Sequence, residues 1–408
     1  MSAVCLIATM DTKAAEARYL RTALEAHGLE VLLVDTGILQ ESPADVDVSQ
    51  SQVLGDAREA VRRVKTRAEA SAFMERGLCR VVGELYAAGK LAAAVSLGGS
   101  GGATLASAAM RTLPLGVPKV IVSTMASGNT LPYVQGEDIL LINPVVDIQN
   151  LNFLSRNALS RAAGVVAAML ACPLAHETQK KAVAISGFGV TTPCVDACVK
   201  RLEDEGYEVL VFHARGVSGG RIMEKMIAEG HFAGVLDLTT SEIADEAAGG
   251  VYAVGPQRLR TAAEMGVPYV VTPGALEMVN LGGEDTLTEA QKRRVLYRHS
   301  PSSVKLRANT EEMRRCARIF IERLSTGHGN VAVLAARRGF SMVNREGQVF
   351  YDPEADAAFL DELCQGMPAS VPVTVLDMHH NDAAFAARCV DTLLALMRRQ
   401  EEGRNQHE

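Results

Sequence analysis

Tryptophan is absent from this chain of 408 residues, and aromatic residues make up only 4% of it. Hydrophobic residues still reach 48%. The core must therefore be built from Ala, Val, Leu, Ile and Met, in a globular rather than a disordered chain. No apolar run approaches the ~20 residues of a membrane span. The longest, Ala162 to Cys172, suits a buried helix. The first residues run straight into Ala3-Val4-Cys5-Leu6-Ile7-Ala8, without a basic segment or a small-residue cleavage site. No membrane partner is expected, and the chain reads as cytoplasmic. Basic charge is not in excess either: the formal net charge is −7, and the paired arginines are mixed with acids, so a nucleic-acid partner is not expected. The eight cysteines are scattered with no C-x-x-C pair, which is the usage of a reducing compartment.

Glycine, by contrast, is plentiful, with 35 residues. It is densest in Leu97-Gly98-Gly99-Ser100-Gly101-Gly102-Ala103-Thr104, where an apolar run of strand length passes into the helix-forming Leu105–Met110. Glycines let backbone N–H groups approach an anion without a Cβ in the way, and a helix start adds unpaired donors and partial positive charge. The spacing matches neither the P-loop nor the dinucleotide fingerprint. The plain alternative is a tight strand-to-helix turn with no ligand.

The chain alternates strands and helices, which implies parallel sheets with right-handed crossovers. Strands are expected at Val4–Ala8, Glu30–Asp35, before the glycine loop, at Val117–Ser123 and at Ile139–Ile142. Helices are expected at Thr12–His27, Asp56–Arg76, Leu78–Ala88 and Leu154–Leu170. After a polar stretch around His176–Lys181 the rhythm restarts. Strands at Ala182–Ser186, Glu208–His213, Ala233–Leu238, Pro268–Thr272, Val331–Ala335 and Val371–Leu376 precede a closing helix Ala383–Arg399 and a frayed tail. The expected fold is α/β: two Rossmann-like domains, 1–178 and 179–408, with mainly parallel sheets and a cleft between them.

Ligands of parallel α/β sheets bind outside the carboxyl ends of the strands. In the first half these ends carry Asp11, Thr12 and Lys13, then the loop Gly98, Gly99, Ser100, Gly101, Gly102 and Thr104, then Ser127, Gly128, Asn129 and Thr130. Together they are the candidate phosphate site. Asp11 and Asp147 are the candidate ligands of an accompanying Mg²⁺, although Asp11-Thr12 equally suits a helix cap. In the second half the strand ends carry His213, Asp237, Glu242, His379 and Asp382, a set suited to general acid–base work if it converges. The Asn309-Thr310-Glu311-Glu312 segment is a capping box. Two function classes follow: an enzyme that handles a phosphorylated or nucleotide ligand, or a regulatory module that senses such a ligand without turnover.

Several segments carry a resemblance. They are Ala8-Thr9-Met10-Asp11-Thr12-Lys13, the glycine loop, Asp147-Ile148-Gln149-Asn150-Leu151-Asn152, Gly187-Phe188-Gly189-Val190-Thr191-Thr192-Pro193-Cys194, Phe212-His213-Ala214, Pro273–Asn280 and His379-His380-Asn381-Asp382. Jointly the chain resembles the ATP-binding N-terminal domain family of the tomato mosaic virus resistance protein and its uncharacterised bacterial relatives. The resemblance implies two Rossmann-like domains, ATP with Mg²⁺ as ligand, and a homodimer or higher homo-oligomer. Asn150 and Arg215 depart from the residues more common in that family, Gly and Thr. The expected activity is an ATP-dependent transferase or ligase acting on a small metabolite, with the regulatory module as the alternative.

Overall fold

The computed structural model describes residues 2–172 and 180–405. The expected domain boundary at 178/179 lies outside them. The chain divides into two compact units, Met1–His176 and Glu177–Glu408.

The first unit holds five parallel strands: β1 (Ala3–Ala8), β2 (Val31–Asp35), β3 (Leu91–Gly98), β4 (Lys119–Ser123) and β5 (Ile139–Ile142). Their order is β2-β1-β3-β4-β5. Alternation along β1 feeds two cores. Val4, Leu6 and Ala8 pack with the helices Met10–Glu25 and Phe153–Ala171, while Cys5 and Ile7 pack with the helices Arg67–Ala87 and Ser100–Met110. Both faces of the sheet are thus covered, which explains its uninterrupted apolar strands. The helix expected over 56–76 is in fact broken: Gln50–Leu54 and Arg58–Arg63 are short, and one long helix then runs from Arg67 to Ala87. Its start is set by a capping box of Thr66 and Glu69. Gly77, which falls between the two helices expected at 56–76 and 78–88, lies inside it. A Cβ there would sit 2.1 Å from the Val53 carbonyl oxygen, so glycine is required by the crossing of the helix Gln50–Leu54.

The second unit holds a six-stranded parallel sheet: β6 (Ala182–Gly187), β7 (Glu208–His213), β8 (Gly234–Asp237), β9 (Tyr269–Val271), β13 (Val331–Ala336) and β14 (Val373–Leu376), in the order β14-β13-β9-β8-β6-β7. The strand β6 lies between its two successors, as β1 does in the first unit. An antiparallel sheet is inserted after β9, formed by β10 (Met278–Leu281), β11 (Leu296–Ser300) and β12 (Ser303–Arg307) in the order β10-β12-β11. Sequence rhythm misses it because β11 is half-exposed and polar and carries no apolar run. Asn309 caps the helix Thr310–Leu324 in a capping box with Glu312. The closing helix runs from Ala383 to Asn405, past the expected fray point, and Gln400 Nε2 donates to the Gly266 carbonyl at 2.7 Å. Among the described residues no helix is long and apolar enough to cross a membrane.

Candidate functional site

In a doubly wound sheet a crevice opens where the strand order reverses, at the carboxyl ends of the two strands that diverge. In the first unit those strands are β1 and β3. A cavity of about 290 Å³ opens there, lined by Thr9, Thr12 and Lys13 after β1, by Gly98, Gly99, Ser100, Gly101 and Gly102 after β3, and by Arg67 and Asp147.

Backbone geometry shapes its floor. Gly98 takes φ +149°, a conformation that L side chains rarely adopt. Gly99 precedes the helix Ser100–Met110, and no side chain caps that end. The Ala103 N–H closes the turn onto the Gly99 carbonyl at 3.0 Å. The N–H groups before it have no helical carbonyl to bond and are left to water or a ligand. A Cβ at Gly99 or Gly101 would meet nothing within 4 Å. On the other wall Thr9 opens the helix Met10–Glu25, whose first turn departs from helical geometry at Lys13 (φ −131°, ψ 21°). The buried Asp35 carboxylate fixes this wall by accepting from the N–H groups of Met10 (3.0 Å) and Gly37 (2.7 Å). Neither Lys13 nor Arg67 forms an ion pair among the described residues. Two cations, one carboxylate, an open helix start and a glycine floor surround the cavity, a combination that favours negative charge.

Six sequence candidates do not reach this lining. Asp11 turns away: its Oδ2 accepts from the backbone N–H groups of Ile38 (3.0 Å) and Leu39 (2.9 Å), which tethers the loop after β2. It does not join Asp147 in the cavity, so the expected pair of Mg²⁺ ligands is reduced to Asp147. Thr104 donates its hydroxyl to the Ser100 carbonyl at 2.9 Å, inside its own helix. Ser127 donates to the Thr124 carbonyl (2.9 Å), and Asn129 accepts from the Leu131 N–H (3.2 Å), so the Ser127, Gly128, Asn129 and Thr130 loop is closed on itself after β4. Arg67 and Thr9 were missed. The Thr66/Glu69 capping box was the available signal for Arg67, since it marks that residue as the first of its helix.

In the second unit the five candidate acid–base residues do not form one cluster. Asp237 and Glu242 are fully buried on Arg258. Asp237 takes both terminal nitrogens of the guanidinium, the Tyr269 hydroxyl (2.7 Å) and the Ser186 hydroxyl (2.5 Å). Glu242 takes Arg258 Nε (2.5 Å) and the N–H groups of Gly216 (2.7 Å) and Gly220 (3.1 Å). Glu224 adds a third carboxylate, 3.5 Å from the guanidinium. Burial pushes Glu242 and Glu224 above the usual carboxylate range, with Arg258 opposing. Burial works against the Arg258 charge, but Asp237 and Glu242 outweigh it and hold its pKa well above the ordinary value. These groups are spent on one another. His379 is buried, with Nε2 3.0 Å from the Ser341 carbonyl, and Asp382 accepts from the His379 backbone N–H at 2.8 Å as the closing helix begins. His213 is exposed and stacks on Phe188, with ring centroids 5.2 Å apart. Arg258 carried no signal in the sequence, because a lone arginine in a loop acquires meaning only when three acids fold around it. Among the described residues, no group of three or more His, Cys, Asp or Glu is placed to hold a metal ion.

Residues 2–174 match the N-terminal domain, and residues 180–397 the C-terminal domain, of the uncharacterised protein family UPF0261. A UPF0261 protein of Clostridium tetani is 38% identical over 399 residues, 97% of this chain and 98% of that protein. One of Mesorhizobium japonicum is 37% identical over 391 residues, 95% and 97% of the two chains. The ToMV resistance protein Tm-1(GCR237) of Solanum lycopersicum is 41% identical over 314 residues, 75% of this chain but 42% of the tomato protein. Among solved structures, a Staphylococcus aureus MnaA–UDP chain aligns over 66% of this chain and 79% of its own, at 12% identity and a TM-score of 0.23. That likeness is too weak to inform on fold or ligand.

Proposed function

The chain belongs to the UPF0261 family, and from that premise we propose that its first unit binds the phosphates of ATP, or of a related phosphorylated ligand, at the glycine loop. One observation carries the reading. Local packing does not require glycine at 99 or 101, where a Cβ would enter open space, yet both line the cavity that Lys13 and Arg67 face. Glycine inside a helix costs about 0.5–1 kcal/mol relative to alanine, and Gly101 lies in the first turn of Ser100–Met110. Close approach of a ligand to the backbone gives that cost a reason.

The volume of about 290 Å³ lies at the small end of ligand pockets, so it suits the phosphate portion, with the rest of the ligand outside. Mg²⁺ binds through one or two carboxylates plus substrate phosphates, and Asp147 supplies one. Lys13 and Arg67 neutralise the phosphate charge, and the N–H groups of the helix start orient its oxygens. The activity we assign is an ATP-dependent transferase or ligase on a small metabolite. A nucleotide-dependent regulator is the alternative.

Calorimetric titration with ATP and Mg²⁺ tests the site. Gly99→Val and Gly101→Val, if folded, should weaken binding by about tenfold or more, while Ser127→Ala and Thr104→Val should leave it within about twofold. Unchanged affinity in the two valine variants sinks the proposal. Release of ADP or phosphate in the presence of small organic acids separates turnover from sensing.

A further inference from the structure

The second unit contains a buried lysine that none of the roles above uses. Lys305 lies on β12, opposite Asn280 on β10 and Tyr297 on β11, and is only 5% exposed. Its ammonium donates to Asn280 Oδ1 at 2.6 Å, a neutral amide. It also sits over the rings of Phe188 (5.2 Å) and Tyr252 (5.4 Å). Among the described residues no carboxylate forms an ion pair with it. Asp245 acts on it electrostatically from behind Asn280, but its carboxylate is spent on the N–H groups of Asn280 (2.6 Å) and Tyr252 (2.8 Å). Burial pushes Asp245 up to about 7, so it is an incomplete counter-charge at neutral pH.

The same two rings carry further basic groups. The Arg215 guanidinium lies over Tyr252 (5.2 Å), and its Nε donates to the Tyr252 hydroxyl at 2.8 Å. It too has no ion pair among the described residues. His213 stacks on Phe188 with an 11° angle between the ring planes. Phe188 follows β6, and His213 ends the neighbouring β7. The cluster therefore stands at the carboxyl ends of adjacent parallel strands, where this fold class places ligands. Burial, with Arg215 adding to it, depresses the Lys305 amine to about 8, which still leaves most of it charged at neutral pH.

A buried charge without a partner is costly, and replacing it with an apolar side chain of similar volume is commonly neutral or stabilising. Here two cations, Lys305 and Arg215, gather without an ion-paired acid among the described residues, beside His213, whose pKa burial and both cations hold down, so that it meets a ligand as a hydrogen-bonding imidazole. We infer that Lys305, Arg215 and His213 form a second ligand site, in which a carboxylate or phosphate group of a small molecule supplies the missing counter-charge. The half-buried rings of Phe188 and Tyr252 flank that pair and lower its contact with water on one side. This site does not depend on the glycine-loop reading.

The test uses the full chain carrying Gly101→Val, which weakens the first site, titrated with inorganic phosphate and separately with malonate. Saturable binding of either anion is expected, and which one binds more tightly names the class. Adding Lys305→Met should weaken it by about tenfold or more, the weight of one charge-assisted hydrogen bond. Arg215→Gln, at an exposed position that does not endanger folding, should weaken the same anion severalfold. No saturable binding of either anion overturns the inference, as does binding indifferent to Lys305→Met and Arg215→Gln. A Lys305→Met protein that loses binding, together with an Arg215→Gln protein of unchanged affinity, makes Lys305 a structural residue and also overturns it. Loss of ATP binding in Gly101→Val alone, with these outcomes otherwise as expected, bears only on the first unit.

Discussion

The two units share one winding and treat its crevice differently. In each, the first strand is flanked by the second and the third, β1 by β2 and β3, β6 by β7 and β8. In the first unit the carboxyl ends of β1 and β3 open into a cavity floored by glycines, with Lys13 and Arg67 on its walls and without an ion pair among the described residues. In the second, the ends of β6 and β8 are closed by Arg258, on which Asp237 and Glu242 converge, with Ser186 and Tyr269 tied in. Topology decides where a ligand site is geometrically available. Whether the place is open or filled depends on side chains that arrive from elsewhere in the chain, here a loop arginine.

The comparison is broken most forcefully at Arg258. Arg258→Met removes the cation but leaves Asp237, Glu242 and Glu224 buried together, and breaking a buried pair in this way costs about 3–5 kcal/mol. Urea denaturation should show the second unit losing about that much, with the first unit's transition unmoved. An equal loss in Gly101→Val would erase the distinction between a filled and an open crevice.

A smaller effect concerns pH. Burial raises Glu277 from 4.5 to about 7 and Asp245 from 3.8 to about 7. Each group binds its proton more tightly folded than unfolded, so its stabilisation is complete below about pH 4 and is lost as pH rises through about 7. Between pH 5 and pH 8 these two groups therefore take stability from the second unit, while His380, held down to about 3 by burial, returns some over the same range. Glu277→Gln, which keeps a neutral group beside Ser341, should flatten that slope by about 2–3 kcal/mol. A slope unchanged in this variant would place the proton elsewhere.

The smallest effect sharpens the first unit. Gly101→Ala should stabilise it by about 0.5–1 kcal/mol, since a helical glycine is replaced where a Cβ meets nothing. The same change should weaken phosphate binding severalfold. Stabilisation without loss of affinity would mean that the glycine floor is only a turn.

Much of the fold is legible because both sheets are parallel and covered on both faces. Their strands then appear as unbroken apolar runs such as Val4–Ala8 and Ala182–Ser186, and the helices between them enforce the crossovers. The antiparallel insertion is illegible for the complementary reason. The strand β11 is half-exposed and polar, and pairing with β12, not its own pattern, makes it a strand. The Gln50–Leu54 crossing likewise turned Gly77 from an expected break between helices into a contact point.

At the candidate site the sequence by itself determined the glycine loop, its place after a strand and the neighbouring Thr12-Lys13, because backbone conformation and short-range spacing are local properties. Only the tertiary structure decided that Arg67 joins the cavity, that Asp11 turns to the loop after β2, and that Asp237 and Glu242 are spent on Arg258. The last two outcomes depend on which carboxylate, guanidinium or backbone amide lies about 3 Å from a side chain, and the first on where the helix Arg67–Ala87 begins beside the glycine loop. Both are set by packing between segments far apart in the chain, which residue spacing does not encode.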